Sequence, residues 1–403
     1  MHLRHLSLTN FRIYARLELE LPTGPILIHG DNAQGKTSLL EAVYYLATAK
    51  SPHTSSDRQL IHWLAADEGI TPYARLVGDV ARIDRASHLE MTLLLEPANT
   101  ADGFRFRKQI KVNGSLTRAA DLAGQINIVM FLPQDVDTVD GSPGARRRYL
   151  DNALSQIDVD YARAIDRYTD VLAQRNTLLK QLQETGGDPD QLDYWDEQLA
   201  ADGAAITIKR QIVLVELSRI ADRVHRDLTG SHTDLRLRYQ PAFDATRSSA
   251  AEYQIALRLD MPPSGVADPR RAEAAFHAQL QERRREEISM GMTLIGPHRD
   301  DFRFISDQID LGTYGSRGQQ RTAVLALKLA EVEWIRSKVG DWPILLLDEV
   351  MAELDAHRRA CLLSSIGSVS QALLTTTDPA MFSQEFRSRA KRLRVARGRI
   401  EEI

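Results

Sequence analysis

The sequence predicts an α/β fold: a mixed or parallel sheet with helices, an antiparallel β annex, and an inserted helical lobe or short arm that splits the sheet-bearing part in two. Three observations predict it. The apolar run 25–28 leads into a glycine-rich segment and then an apolar helix, and a second apolar run, 343–347, ends in two carboxylates. The glycine-rich segment and the carboxylates are about 300 residues apart, more than a compact α/β domain needs between two elements of one sheet.

Range 1–130 is predicted to be rich in strands. Residues 3–28 divide into three strands, of which 16–21 alternates polar and apolar side chains with period 2. Residues 70–115 add further strands, such as 89–95, and Asn113-Gly114 supplies a hairpin turn. This range is therefore expected to form the first half of the main sheet with its β annex.

The glycine-rich segment has the spacing of a phosphate-binding loop and consists of Gly30, Asp31, Asn32, Ala33, Gln34, Gly35, Lys36 and Thr37. In such a loop the backbone N–H groups point at the phosphates, Lys36 reaches the outer phosphates, and the Thr37 hydroxyl is left for Mg²⁺. A flexible glycine turn before an unrelated helix is the alternative, and the flanking strand and apolar helix disfavour it. The segment predicts binding of ATP or GTP.

Range 131–290 is predicted to be an inserted, mainly helical lobe. Apolar residues recur at steps of 3 and 4 up to a break at 186–189, and again from 192 to 228, with Arg175 interrupting the first series. The two long helices form either a projecting arm or a plain helical lobe. Residues 240–270 are expected to be irregular, and the charged run 282–287 of a further helix is expected to be a solvated face.

Range 291–403 is predicted to hold the second half of the site. Asp348 and Glu349 end an apolar run in the manner of a Walker B strand, so Asp348 is expected to hold the Mg²⁺ shell and Glu349 to orient or deprotonate the attacking water. Upstream, Ser316, Arg317, Gly318 and Gln319 open an apolar-periodic helix. That helix start is either an ordinary N-cap or an anion site.

In this order the segments resemble the head domain of the ABC-type P-loop ATPases of the SMC-like group and, within it, the RecF family of bacterial recombinational-repair proteins. The resemblance covers most of the chain. Its most specific strings are Gly-Pro-His-Arg-Asp-Asp at 296–301 and the triple arginine at 146–148. The segments 9–12, 131–135, 141–143, 318–321 and 353–355 also match.

The resemblance implies that two heads sandwich two ATP molecules, so that ATP is a dimerisation switch and Ser316 acts on the nucleotide of the partner head. It assigns Gln134 to the Mg²⁺ shell as the Q-loop glutamine and Asp355 to the D-loop across the dimer, and it adds Arg12 to the nucleotide-binding set. Arg317 departs from the usual signature glycine. Residues 375–378 stand where many ABC ATPases carry a switch histidine.

The resemblance further implies an ATP-dependent DNA-binding protein of repair and replication that acts at gaps or single-strand/double-strand junctions without sequence preference and, with RecO and RecR, helps load RecA. An ATPase that regulates a partner nuclease, as in phage defence, and a transporter cassette are the alternatives. Basic residues within 387–399 and the arginines at 146–148 are candidate DNA contacts, or simply solvated faces. His298 with Asp300 and Asp301 is a poor metal cluster, since no further His or Cys ligands lie nearby.

Composition agrees with a reducing compartment. The 403 residues include one cysteine, Cys361, which excludes an intrachain disulfide, and no apolar stretch reaches membrane-spanning length. We therefore expect a cytoplasmic protein. The formal net charge of −4 excludes a generally cationic DNA coat, so any DNA contact must come from local basic patches.

Overall fold

The computed structural model describes residues 1–63, 72–98, 104–230, 233–243 and 268–402. The chain packs into two compact units: unit 1 is Met1–Asp135 with Glu331–Ile403, and unit 2 is Val136–Ala330. Residues 291–330 therefore group with unit 2. The division into the ranges 1–130, 131–290 and 291–403 stays a prediction.

The strands of the described residues follow the predicted order in the first part of the chain. Their bounds are β1 His2–Phe11, β2 Tyr14–Glu20, β3 Gly24–His29, β4 Tyr73–Ala81, β5 Ala86–Pro97, β6 Phe104–Val112, β7 Ser115–Thr117, β8 Ile128–Phe131, β9 Arg236–Gln240, β10 Asp301–Ser306, β11 Ile309–Asp310, β12 Ile344–Asp348, β13 Gln371–Thr376, β14 Lys391–Ala396 and β15 Arg399–Glu402.

The helices cluster in the middle of the sequence and around the two apolar runs. Their bounds are α1 Lys36–Thr48, α2 Asp137–Asp140, α3 Pro143–Ser155, α4 Val159–Thr185, α5 Asp193–Thr229, α6 Pro269–Met290, α7 Leu311–Tyr314, α8 Arg317–Val339, α9 Ala356–Ile366 and α10 Gln384–Arg389. None of these helices of the described ranges combines the length and apolar character needed to cross a bilayer.

Unit 1 contains two six-stranded sheets. One is the predicted antiparallel annex, in the order β2-β1-β4-β5-β6-β7. The other has the order β15-β14-β3-β13-β12-β8, in which β14, β3, β13, β12 and β8 run parallel and β15 pairs antiparallel with β14. Every residue of β8, β12 and β13 is buried, as expected for parallel strands covered on both faces.

Helix α1 provides the core between these sheets. Leu39, Leu40 and Val43 are fully buried, and α1 contacts strands of both sheets. The same apolar cluster contains Ile26 and Ile28 of β3. Because β3 alternates, its other residues face away from α1, and the strand delivers the chain to the loop before α1 in one orientation. The core thus holds both ends of that loop.

Unit 2 is built on the two long helices predicted from the apolar spacing. Contacts pair 158 with 209, 167 with 202 and 175 with 196, so the residue numbers sum to a nearly constant value and α4 and α5 run antiparallel. Helix α6 packs against both of them. A three-stranded antiparallel sheet, β11-β10-β9, completes the described part of the unit.

Most of the charged run 282–287 is exposed, as predicted for a solvated face, but Glu287 departs from the prediction. Glu287 is fully buried and pairs with Arg175 at 2.7 Å, and Arg175 also pairs with Asp196 at 2.7 Å. Arg284 donates to Asp196 at 2.7 Å. Arg175, which interrupts the apolar series of α4, therefore neutralises carboxylates of α5 and α6, and burying such charges requires this pairing.

The stretch 240–270, expected to be irregular, lies mostly outside the described residues.

Candidate nucleotide-binding site

The loop between β3 and α1 requires glycine at two points. A side chain at Gly30 would bring its Cβ within 2.3 Å of the Val395 carbonyl oxygen of β14. Gly35 has φ +116°, a left-handed value that favours glycine, and its carbonyl accepts a hydrogen bond from the Tyr14 hydroxyl at 2.9 Å. The glycine spacing therefore reflects close backbone approaches within unit 1 as well as phosphate chemistry.

Lys36 lies under the loop with 4% of its surface exposed. Its Nζ donates to the carbonyls of Gly30 at 2.7 Å and Asp31 at 3.0 Å, and it forms an ion pair with Glu349 Oε1 at 3.1 Å. One ammonium group thus joins the loop to the carboxylate at the end of β12. It is held where a phosphate chain laid along the loop would meet it.

Thr37 and Asp348 meet although 311 residues separate them. The Thr37 Oγ1 lies 2.9 Å and 3.1 Å from the two carboxylate oxygens of Asp348. Strand β12 ends at Asp348, and α1 carries Thr37 in its first turn. The predicted Walker A and Walker B elements are therefore adjacent in space.

These residues line an open cavity of about 310 Å³, within the range typical of small-molecule sites. The lining contains predicted residues together with Ile13, Ser38 and Pro133, which were not predicted as site residues. The predicted residues in the lining are Asn32, Ala33, Gly35, Lys36, Thr37, Gln134, Asp348 and Glu349. Five predicted site residues of unit 1 lie outside this lining: Gly30, Asp31, Gln34, Arg12 and Asp355.

The oxygen atoms of this cavity fit a hard divalent cation. A hydroxyl and a carboxylate converge at Thr37 and Asp348, which is the partial ligand set Mg²⁺ uses when phosphates and waters complete its shell. No group of three or more His, Cys, Asp or Glu side chains able to hold a metal occurs in the described ranges. That includes the 298–301 string: Asp301 pairs with Arg146, and Asp300 pairs with Arg210.

Two predicted residues of unit 1 are held by neighbours that the motifs did not reveal. The Arg12 guanidinium forms a bidentate pair with Glu41, at 2.8 Å for each bond. Gln34 accepts from the Arg397 N–H at 2.8 Å, and its carbonyl accepts from the Gly398 N–H at 3.1 Å. The turn between β14 and β15 therefore clamps the loop from outside the cavity.

Gln134 and Asp355 have the following surroundings. The Gln134 side-chain nitrogen lies 3.4 Å from Nδ1 of His53. Asp355 is the N-cap of α9, where its carboxylate accepts from the Arg358 N–H at 2.9 Å and from the Arg358 guanidinium at 2.8 Å. The backbone hydrogen bond from Arg358 is the main cause that lowers the pKa of Asp355.

The signature segment, in unit 2, is exposed at Ser316, Arg317, Gly318 and Gln319. The Ser316 Oγ accepts from the Gln319 N–H at 3.3 Å, and the Gln319 side chain accepts from the Ser316 N–H at 2.9 Å, a reciprocal cap at the start of α8. Arg317 is paired with Asp140 at 2.6 Å. The N-cap predicted as one alternative is thus present, and its hydroxyl is exposed.

The candidate DNA-contact residues differ in exposure. Arg146 is buried and pairs with Asp301, with a shortest separation of 2.5 Å, so the triple arginine is not a uniform basic patch. Arg148 is exposed. Within the C-terminal stretch the chain forms the predicted hairpin β14–β15, whose Arg392 and Arg394 are exposed.

In the string 296–301 of unit 2, Asp300 and Asp301 are buried, whereas Arg299 is exposed. Asp300 accepts from the Tyr239 hydroxyl and pairs with Arg210 at 3.3 Å, and burial raises the pKa of Asp300. The Tyr168 hydroxyl lies 2.7 Å from His298, and burial lowers the pKa of His298 to about 4. These groups stabilise the helical unit.

Comparison with known proteins decides the family. The model of the RecF/RecN/SMC N terminal domain matches residues 2–400. A protein of Herpetosiphon aurantiacus, "DNA replication and repair protein RecF", is 42% identical over 407 residues, covering 99% of each chain. A protein of the same name from Chloroflexus aurantiacus is 41% identical over 409 residues and also covers 99% of each chain.

The chain belongs to the RecF family. Among solved structures, the recombination mediator protein RecF-ATPrS in the RecFOR pathway superposes with a TM-score of 0.83 at 28% identity, covering 100% of this chain and 98% of that one. An Smc head domain from Pyrococcus furiosus has a TM-score of 0.51 at 14% identity, with coverage of 100% and 96%, and shares the fold. The predicted SMC-like, ABC-type head fold of the RecF family is confirmed.

Two contacts that bear on the site were not predicted: that of Thr375, placed by the resemblance at the switch-histidine position, with Asp348, and that of Glu41 with Arg12. The sequence held a partial signal for the first, since Thr375 follows the apolar residues 372–374, but its place beside Asp348 depends on the strand order. Thr375 stands at the carboxyl end of a strand adjacent and parallel to β12, in register with Asp348.

Proposed function

We propose that this RecF-family chain binds Mg-ATP in the unit 1 cavity and hydrolyses it as a conformational switch in DNA repair and replication. The observation that carries the proposal is the contact of Thr37 with Asp348 beside Lys36, inside a cavity of about 310 Å³. The RecF structures in the RecFOR pathway that are named with ATP and ATPrS, at 28% identity, support ATP as the nucleotide.

Each side chain then has a stated task. The backbone N–H groups of 30–37 and the Lys36 ammonium bind the phosphates, and Thr37 and Asp348 would hold Mg²⁺, with Gln134 at the rim. Bound Mg²⁺ supplies charge neutralisation at the phosphate oxygens. Glu349 releases Lys36, which then binds the phosphate. The freed carboxylate orients or deprotonates the attacking water, which must approach the γ-phosphate in line.

We further propose that ATP brings two copies of the chain together. Ser316 to Gln319 are exposed at the start of α8, so they are available to a second copy, and an N-terminal helix turn of this kind binds anions. The Arg317 side chain pairs with Asp140, and Ser316 beside it is exposed. Arg12 and Asp355 are the remaining residues that we propose for nucleotide binding, with Asp355 placed across the dimer.

We propose that the protein binds DNA at gaps or single-strand/double-strand junctions, without sequence preference. The relatives' name, "DNA replication and repair protein", and the mediator role in the RecFOR pathway named for the solved RecF structures support DNA and the RecO and RecR partners, with RecA loading as the outcome. Among the exposed arginines of the hairpin, we propose Arg392 and Arg394 of β14 for phosphate contact. We propose a cytoplasmic location.

The test is the steady-state ATPase rate as a function of protein concentration, with and without duplex DNA that carries a single-strand gap. We expect a rate that rises faster than linearly with concentration and increases with gapped DNA. A Lys36→Ala variant measures contaminating activity. A rate that is linear in protein concentration and unchanged by DNA would contradict the two-headed DNA switch. A rate no higher than that of Lys36→Ala would contradict the ATPase activity itself.

A further inference from the structure

Thr375 lies between the two carboxylate residues of the site and is 2% exposed. Its Oγ1 lies 2.6 Å from Asp348 Oδ1 and 3.0 Å from the backbone nitrogen of Glu349. A hydroxyl has one proton to donate and two lone pairs to accept with. Asp348 is therefore the acceptor and the Glu349 N–H the donor, so a single buried hydroxyl bonds both residues.

The position of this hydroxyl follows from the sheet. Strands β12 and β13 are parallel, and their register pairs Asp348 with Thr375 at the carboxyl ends. Leu373 and Leu374, before Thr375, are fully buried and apolar. A hydroxyl in such surroundings is costly unless it is hydrogen-bonded, and here both of its strong partners belong to the candidate site.

The backbone at Glu349 gives the contact a second consequence. Glu349 has φ +54°, a left-handed value that residues other than glycine rarely adopt and that costs free energy. The hydrogen bond from its N–H to Thr375 holds the turn at that point. The direction in which the Glu349 side chain leaves the strand therefore depends on the same hydroxyl that holds the Asp348 carboxylate.

We infer that Thr375 is a positioning residue for the Mg²⁺ carboxylate and for the glutamate that orients water. The inference rests on the proposed function of this site. Thr37 contacts the same carboxylate, but its hydroxyl is also the candidate metal ligand. The Thr375 hydroxyl donates to Asp348, accepts from the Glu349 N–H and lies 3.4 Å from the Leu347 carbonyl, so it acts on the site through these neighbours.

The test compares Thr375→Val, which keeps the shape and loses the hydroxyl, with Thr375→Ser, which keeps the hydroxyl. Fluorescent ATP-analogue binding is titrated with Mg²⁺, and single-turnover hydrolysis is measured on the same samples. For Thr375→Val we expect binding without Mg²⁺ to stay within twofold of the unsubstituted protein. The Mg²⁺ concentration that gives the half-maximal change in analogue binding should rise about tenfold. Hydrolysis should slow about tenfold or more, because a hydrogen bond to a charged group is lost. Thr375→Ser should restore both.

Thr376→Val is the matched control. Thr376 is similarly buried, at 4% exposure, and within the described residues its hydroxyl bonds to the backbone of Asp378, so its removal should leave the Mg²⁺ titration unchanged. If Thr375→Val does not fold, Thr375→Ala against Thr375→Ser replaces it. An unchanged Mg²⁺ titration in the hydroxyl-free variant, or an equal defect in Thr375→Ser, overturns the role of Thr375. Failure of the unsubstituted protein to bind the analogue overturns the proposed function instead.

Discussion

The Lys36–Glu349 ion pair predicts opposite effects on binding and hydrolysis in the variant Glu349→Gln. The amide keeps the shape of the side chain and removes its charge. Lys36 is 4% exposed, the Glu349 side chain is 37% exposed, and the two charged atoms are 3.1 Å apart. ATP phosphates must compete with the Glu349 carboxylate for Lys36, so removing the charge frees the ammonium for the nucleotide.

The size of the effect follows from the exposure of the pair. An ion pair with one partner this accessible is worth about 1 kcal/mol, because water screens it. Its loss should tighten ATP binding about fivefold. Removal of a general base slows hydrolysis by about 10²- to 10⁴-fold. Glu349→Gln is therefore expected to hold ATP longer while hydrolysing it far more slowly.

The assay measures equilibrium binding of a fluorescent ATP analogue and single-turnover hydrolysis on one preparation. Glu385→Gln, which removes an exposed carboxylate at the start of α10, is the control and should change neither quantity. Hydrolysis at the normal rate in Glu349→Gln would remove Glu349 from its catalytic role. Slow hydrolysis without tighter binding would refute the competition between Glu349 and ATP for Lys36.

Three further predictions concern stability and the loop clamp. Arg146→Met removes the buried partner of Asp301, which keeps Arg303 at 3.1 Å, and should lower the free energy of unfolding by about 2–3 kcal/mol in urea denaturation, whereas exposed Arg148→Met should change it by less than about 0.5 kcal/mol. The pKa of His298 is about 4 in the folded protein and 6.5 in the unfolded chain, so the unfolded chain binds the proton first and stability falls as pH drops through 6.5. Between pH 7.5 and 5 the free energy of unfolding should fall by about 2 kcal/mol more in the unsubstituted protein than in His298→Gln. Equal decreases in the two proteins would contradict this prediction. Gly398→Ala would place a Cβ 2.7 Å from the Ile13 carbonyl and should weaken ATP-analogue binding several-fold, while Gly114→Ala, with the same left-handed strain and open space, should leave binding unchanged.

The burial of Glu287 shows where the solvated-face prediction for 282–287 is wrong, although most of that run is exposed. A charged run on a helix is usually a solvated face, and nothing local distinguishes Glu287 from its neighbours. The distinction comes from α4, whose Arg175 reaches the same buried point from more than a hundred residues away. Pairing of this kind is a property of how helices pack, so periodicity within one helix cannot reveal it.

Local patterns by themselves determined a large part of this protein. The glycine spacing of 30–37, the alternation of 16–21, the turn at Asn113-Gly114 and the apolar run before Asp348 each have a short-range physical cause, and each formed the predicted element. The two long helices followed from spacing in the same way. These features depend on neighbours a few residues away, which is the information a single sequence contains directly.

Only the tertiary structure decided what completes the site. The contact of Thr375 with Asp348 depends on which strand lies beside β12, and the contact of Gln34 with Arg397 depends on the hairpin returning to the loop 363 residues later in the chain. Arg146 is buried because Asp301 lies opposite it. Strand order and the pairing of distant charges are set by packing the whole chain, because no local conformational preference distinguishes one distant partner from another.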